Sequence, residues 1–260
     1  MQFIYDKNAG NANLAIESKA FHHIFNVRRK NVESALKNGE IFNFANLNDG
    51  AIHRYKIIRY DKKSAEFEWL ESAHITQDSP KTHIIQAVIA DFDKILPFLN
   101  ELFVEKITLF YADFSQKNIR INLERIKSIL MNSSMQCGRL SEMKVEIFNS
   151  IDEVMCAYSD LVALDFGAEC ADLRELNHFV IGPEGGFSQR ERKMFNNSNE
   201  IRGDLHDFSA NQSGDSRQSD SNAICDSKQG NSNKIRAVGI NHPLILRSQS
   251  ASIFVASQKI

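Results

Sequence analysis

The chain has 260 residues, of which 42% are apolar and 25% charged, the balance of a soluble globular protein rather than a disordered or membrane one. Its length suits one sizeable domain with a smaller companion. The formal net charge of −2 excludes a global positive field, so a nucleic-acid partner would have to be held by local basic patches.

Residues 1–75 read as short strands, at 39–44, 51–59 and 64–70, separated by turn signals at 46–50 and 61–63. That pattern predicts a small β-barrel. Pro80 falls in the expected linker, and from residue 82 the pattern changes. Residues 82–90 form an Ile- and Val-rich run, 92–102 have helical spacing, and 106–110 read as a second buried strand. A helix at 121–133, a strand at 145–148, a helix at 152–158 and strands at 161–164 and 178–181 complete a strand–helix alternation. Such alternation predicts βαβ units and a parallel sheet, hence an α/β class. Residues 197–233 are rich in Ser, Asn, Asp, Gly and Gln and read as a disordered insertion that cannot bury enough apolar surface to offset the entropy of ordering. Strand character returns at 234–240 and a short helix at 248–258.

No stretch approaches the length of a membrane span, and residues 1–10 lack a basic segment followed by an apolar run, so the cytoplasm is the expected location. Cys137, Cys156, Cys170 and Cys225 are widely spaced and signal neither a zinc site nor a disulfide framework.

Two segments carry chemistry. The first is Phe179-Val180-Ile181-Gly182-Pro183-Glu184-Gly185-Gly186-Phe187-Ser188, a buried strand running into a glycine-rich turn and a helix. Glycines there let backbone groups approach a ligand and supply positive φ, while Ser188 and Glu191 form a Ser-x-x-Glu capping box. The carboxyl end of a parallel strand is where open α/β sheets bind ligands. Neither a dinucleotide fingerprint nor a P-loop lysine is present, and a tight turn alone is the competing reading. The second segment runs from Ala237 through Gly239, Ile240, His242, Ile245 and Leu246 to Arg247, Ser248, Gln249, Ser250 and Ala251. Ser248 and Ser250 suit a helix cap. Arg247, held beside an apolar loop, could bind phosphate or stabilise an anionic base.

Together these segments resemble the RsmE family of 16S rRNA uracil-N3 methyltransferases, within the SPOUT superfamily of knotted methyltransferases. Ile181 to Ser188 match the family's Ile-Gly-Pro-Glu-Gly-Gly-Leu/Phe-Ser. Residues 240–251 match in part the motif Leu-Gly-x-x-Ile-Leu-Arg-Thr-Glu-Thr-Ala: Leu246-Arg247 is kept, Ser248 replaces Thr and Gln249 replaces Glu. Further echoes are His23-Ile24 with Val27-Arg28, Glu101-Leu102, and Gln136-Cys137-Gly138-Arg139, where Met135 stands at a usual Glu.

The resemblance implies a PUA-like RNA-binding barrel over 1–75 and, over 76–260, a SPOUT domain whose C-terminal end is threaded as a trefoil knot. It further implies S-adenosylmethionine as cofactor, bound at a homodimer interface, with 16S rRNA or the assembled small ribosomal subunit as substrate. Ile181, Gly182, Pro183, Glu184, Gly185, Gly186, Ile240, Ile245 and Leu246 are the expected cofactor contacts. Arg247 and Gln249 occupy the catalytic positions, Arg247 as the charge that favours the deprotonated imide. Gln249 is a neutral amide and cannot take the proton, which leaves the acceptor open. His22, His23, Arg28, Arg29 and Lys30, with Gln136 and Arg139, are the expected RNA contacts, and no metal is required. The replacements at Gln249 and Met135 point to an alternative: a catalytically weakened rRNA-binding or ribosome-assembly protein of the same fold.

Overall fold

The structure is a computed structural model that describes residues 2–27, 31–77, 81–196, 235–240, 242 and 245–259. The predicted insertion at 197–233, Pro80 and the basic residues Arg28, Arg29 and Lys30 therefore lie outside the described residues.

The N-terminal part is a five-stranded mixed sheet. Its strands are β1 (Ile4–Tyr5), β2 (Asn13–Glu17), β3 (Ile41–Ala45), β4 (Ala51–Tyr60) and β5 (Ser64–His74), in the order β1-β3-β4-β5-β2. Alternation builds its core: in β2, Leu14 and Ile16 point inward between exposed neighbours. An aromatic chain of Phe25, Phe42, Phe67 and Phe44 runs edge to face through the centre, at centroid separations of 5.9, 5.3 and 5.1 Å. Between β2 and β3 lie α1 (Ser18–Phe21), a π-turn at His22–Val27 and α2 (Val32–Asn38).

The second part is a parallel sheet of β6 (His83–Ala87), β7 (Lys106–Phe110), β8 (Lys144–Phe148), β9 (Leu161–Leu164), β10 (His178–Ile181) and β11 (Ile235–Val238), ordered β11-β9-β10-β6-β7-β8. Both faces are covered, so the strands are apolar on both sides. On one face, Ile84, Ile107, Phe179 and Val238 pack with residues of α3 (Leu96–Glu101), α4 (Leu123–Cys137) and α7 (Ser248–Ser257). On the other, Ile85, Phe110, Val180 and Ile235 meet α5 (Ile151–Ala157) and α6 (Gln189–Asn196). The expected α/β class with a parallel sheet is thus present.

The predicted helix over 92–102 is divided into a 3-10 turn at Phe92–Lys94 and α3, because Pro97 lacks an N–H and fits only a helix's first turn. The two parts meet where Phe3 and Ala45 pack on Leu140, with Met135 at the edge. The Met135 carbonyl accepts the Gln2 N–H at 2.9 Å. The residue standing at the family's Glu therefore joins the N-terminal sheet to α4.

Sheet order positions the site. The chain winds outward through β6, β7 and β8, then returns to place β10 beside β6. Ile181 is level with Gln86 on one side and Leu164 on the other, and Leu164 is level with Val238. Four carboxyl strand ends therefore open at one height, at the kind of reversal point where α/β sheets bind ligands.

Candidate functional site

Above these strand ends lies a cavity of about 740 Å³, within the roughly 300–1,000 Å³ typical of cofactor sites. Three loops wall it. Gly182 to Phe187 follow β10, Gly239, Ile240, His242 and Ile245 to Arg247 follow β11, and Asp165 to Ala168 with Cys170 follow β9. Ile181, Gly182, Pro183, Glu184, Gly185 and Gly186 all line it from the first loop, and Ile240, Ile245, Leu246 and Arg247 from the second.

The glycines differ in role. Gly186 has φ +71°, which only glycine adopts cheaply. Gly185 has no positive φ, which corrects the expectation that both glycines supply one. At Gly239 the constraint is a close approach. An added Cβ would lie 2.3 Å from the Ala168 carbonyl oxygen, and the Gly239 N–H donates to the Glu169 carbonyl at 2.8 Å. The loop after β11 is thereby pressed against the loop after β9.

A buried network fixes the head of α7. Gln86 is fully buried, and its Nε2 donates to Ser248 Oγ at 2.8 Å and to the Ala87 carbonyl at 2.9 Å. Its Oε1 accepts from Ser252 Oγ, and Ser248 Oγ donates to the Gly182 carbonyl. A carbonyl can only accept, so Ala87 fixes which end of the amide faces Ser248. Ser248 therefore joins the glycine loop, β6 and α7 through one hydroxyl.

Arg247 precedes Ser248 as the N-cap of α7, is exposed, and has no ion pair among the described residues. Its charge is thus available to a ligand. Gln249 is not among the residues lining the cavity, and its Nε2 donates to the Ala90 carbonyl at 3.2 Å. The cavity's acidic and imidazole groups are Asp165, Glu184 and His242. Asp165 pairs with Arg192, Oδ1 to Nη2 at 2.9 Å.

The capping box forms as its sequence predicts. Glu191, fully buried, accepts the Ser188 N–H at 2.8 Å, and Ser188 Oγ accepts the Glu191 N–H at 3.1 Å. The second Glu191 oxygen accepts the Asp113 N–H at 3.0 Å, tying the loop after β7 to the glycine turn. Arg190 binds Asp113 through two nitrogens and Asp152 through a third, and it holds the Asp113 carboxyl below the usual carboxylate range.

The expected RNA contacts divide. Gln136 is exposed near the end of α4. Arg139 is buried: it donates to the Asn100 carbonyl at 3.1 Å and to Ser141 Oγ, and its guanidinium lies 5.3 Å from the Phe103 ring centroid. Burial lowers its pKa to about 10. This guanidinium is spent inside the fold, so Arg139 is corrected from an RNA contact to an internal strut. His23 falls in the π-turn, between buried Phe21 and Phe25.

Sequence reasoning missed the third loop, Gln86 and Arg192. The turn at Asp165-Phe166-Gly167 follows a correctly read strand, and its place at a strand's carboxyl end was the available signal. Among the described residues no group of three or more His, Cys, Asp or Glu is placed to hold a metal. No described helix is long and apolar enough to cross a membrane.

A parallel α/β sheet with a cofactor-sized cleft, walled by glycine-rich loops and carrying an available arginine, defines the class: residues 77–206 match the RNA methyltransferase domain family. A ribosomal RNA small subunit methyltransferase E of Helicobacter pylori is 39% identical over 206 residues, covering 75% of this chain and 87% of that protein. The corresponding enzyme E 2 of Borreliella burgdorferi is 26% identical over 211 residues, covering 75% and 84%. The chain belongs to the ribosomal RNA small subunit methyltransferase E family. A member from Neisseria gonorrhoeae, solved bound to S-adenosylmethionine, shares the fold with a TM-score of 0.70 at 17% identity, covering 99% of this chain and 95% of that one.

Proposed function

We propose that this protein transfers the methyl group of S-adenosylmethionine to N3 of a uridine in 16S rRNA. The observation that carries the reading is the cavity itself, in which both motif loops meet and Arg247 stands at the head of α7. The residues fit the cofactor: Gly239 holds backbone where a side chain could not go, Gly186 takes a left-handed turn, and Ile181, Leu246 and Ala251 offer an apolar wall. S-adenosylmethionine supplies an electrophilic methyl on a sulfonium. Arg247 supplies a fixed positive charge for the uracil carbonyl oxygens, which favours loss of the imide proton. Glu184 is the cavity carboxylate that would accept that proton, since Asp165 is already paired.

The same reading takes residues 1–75 as a PUA-like barrel that grips RNA, with His23, Arg28, Arg29, Lys30 and Gln136 as its contacts. It takes 76–260 as the SPOUT domain, with the passage of Gly239 against residues 168–170 as part of a trefoil knot. A homodimer and a cytoplasmic location belong to it as well. The target uridine must be single-stranded or flipped to reach the cleft.

The test is methyl transfer from labelled S-adenosylmethionine to small ribosomal subunits, followed by digestion to nucleosides. Label in 3-methyluridine supports the reading. Label in a different nucleoside, or none, overturns it.

A further inference from the structure

The loop joining β7 to α4, residues 111–122, holds a phenyl ring out to solvent on a firmly tied frame. Ala112 donates its N–H to Ser115 Oγ at 3.1 Å, and the Ser115 N–H returns to the Ala112 carbonyl at 3.0 Å. Tyr111 Oη donates to the Ile119 carbonyl at 2.8 Å and closes the loop on itself. Asp113 ties this frame to the glycine turn: its N–H donates to buried Glu191 at 3.0 Å, and its carboxylate accepts from Ser188 Oγ and from Arg190. Between Asp113 and buried Ser115 stands Phe114, 57% exposed. Its ring rests against the glycine turn, where a Cβ on Gly185 would lie 3.6 Å from Cδ2. Gly185 lines the cavity and Phe114 does not, so the ring stands on the rim, outside the space of the cofactor.

The charges that follow the ring share one sign. Residues 114–122 include Lys117 and Arg120 and no acid. Both cations are exposed, and neither has an ion pair among the described residues. The Asp113 carboxylate is already met by Arg190. A fixed, exposed aromatic face with cations beside it is what single-stranded RNA requires, since bases stack on the ring and phosphates meet Lys and Arg. A uridine that leaves its stack to enter the cleft also bares the face of its neighbour. We propose that this loop is a further RNA contact, in which Phe114 stacks on the unpaired base adjoining the target uridine while Lys117 and Arg120 take phosphates. The proposal rests on the rRNA reading given above. It makes Phe114 a positioning residue that holds the strand while the uridine occupies the cleft.

Fluorescence anisotropy of the full chain with a labelled single-stranded RNA of about ten nucleotides, and with the duplex of the same sequence, reads the contact directly. Methyl transfer to small ribosomal subunits, resolved into kcat and KM, is measured alongside. Phe114→Ala lowers affinity for the single strand by about fivefold or more and leaves the duplex unchanged, while Phe114→Tyr keeps the ring and restores binding. The double variant Lys117→Gln with Arg120→Gln lowers the salt dependence of single-strand binding by about 0.7 in log–log slope for each lost phosphate contact. In every variant KM for subunits rises more than kcat falls, and S-adenosylhomocysteine affinity stays at the wild-type value. Melting curves establish that the variants are folded. Wild-type single-strand affinity and KM in Phe114→Ala overturn the contact and leave the methyltransferase reading standing. Sedimentation that shows Phe114→Ala falling from dimer to monomer assigns the ring to a second copy of the chain and overturns the contact too. Failure of wild type to methylate subunits overturns the rRNA reading itself.

Discussion

Gly239 and Ala168 approach so closely that a Cβ on residue 239 would lie 2.3 Å from the Ala168 carbonyl oxygen. Backbone cannot yield as a side chain can. Gly239→Ala should therefore part the loops after β9 and β11, costing stability at the upper end of the roughly 1–3 kcal/mol seen for overpacking, with a larger loss of cofactor affinity. Gly182→Ala is the graded control, because its Cβ would come no closer than 3.3 Å to the Phe187 ring and 3.4 Å to the Gly186 carbonyl carbon. Denaturant titration and calorimetry of both variants check the order. Equal effects would show that the approach at Gly239 is relaxed in solution.

The Gln86 amide is the second test. Gln86→Leu keeps the bulk but removes the donor to Ser248 Oγ and the Ala87 carbonyl and the acceptor for Ser252 Oγ in a buried site, while Ser248 Oγ keeps the Gly182 carbonyl and Ser252 Oγ keeps the Ser248 carbonyl at 3.2 Å. The expected cost is about 1–3 kcal/mol in all, read from urea unfolding. Ser248→Thr keeps the hydroxyl and should cost far less. Because Arg247 is the next residue, turnover of Gln86→Leu should fall further than its cofactor affinity does.

Acid should weaken the fold through His83. Its Nε2 meets Thr108 Oγ1 at 2.8 Å and its Nδ1 meets His178 Nδ1 at 3.1 Å, with Lys106 and Glu146 nearby. Burial first, then His178, depress its pKa from 6.5 to about 3. Between these values the unfolded chain binds a proton that the folded chain refuses. The stabilisation is therefore complete above pH 6.5 and is lost as pH falls toward 3, by about 1.4 kcal/mol per pH unit for one such group. Unfolding free energies at pH 7, 6 and 5 should show that slope, and His83→Gln should flatten it. An unchanged slope in the variant would assign the acid sensitivity elsewhere.

Much of this molecule is legible in its sequence, for identifiable reasons. Strands β7, β9 and β10 sit at the positions read from their apolar runs, because a strand covered on both faces must be apolar on both. The glycine turn and the capping box were legible as well, since φ and orphan N–H groups dictate residue type locally. What escaped depends on tertiary contact. β5 runs on to His74 rather than 70 because it pairs with β4, although residues 68–74 are all exposed. The charge of Arg139 suggested RNA, yet its burial against Asn100 and Phe103 is decided by packing around α4. Gln86 is a polar residue in a strand that reads as apolar, and only the arrival of α7 from the far end of the chain explains it.

The central claim is that Arg247 acts on the uridine as the methyl is transferred. Single-turnover methyl transfer to small ribosomal subunits, compared for wild type and Arg247→Ala between pH 7 and 9 with S-adenosylmethionine affinity measured alongside, tests it directly. The account predicts turnover lower by about a hundredfold, nearly unchanged cofactor affinity, and a deficit that shrinks as alkali deprotonates the uracil without help. A deficit that stays constant with pH, while RNA affinity falls by the same factor as turnover, would contradict it and reduce Arg247 to a phosphate anchor.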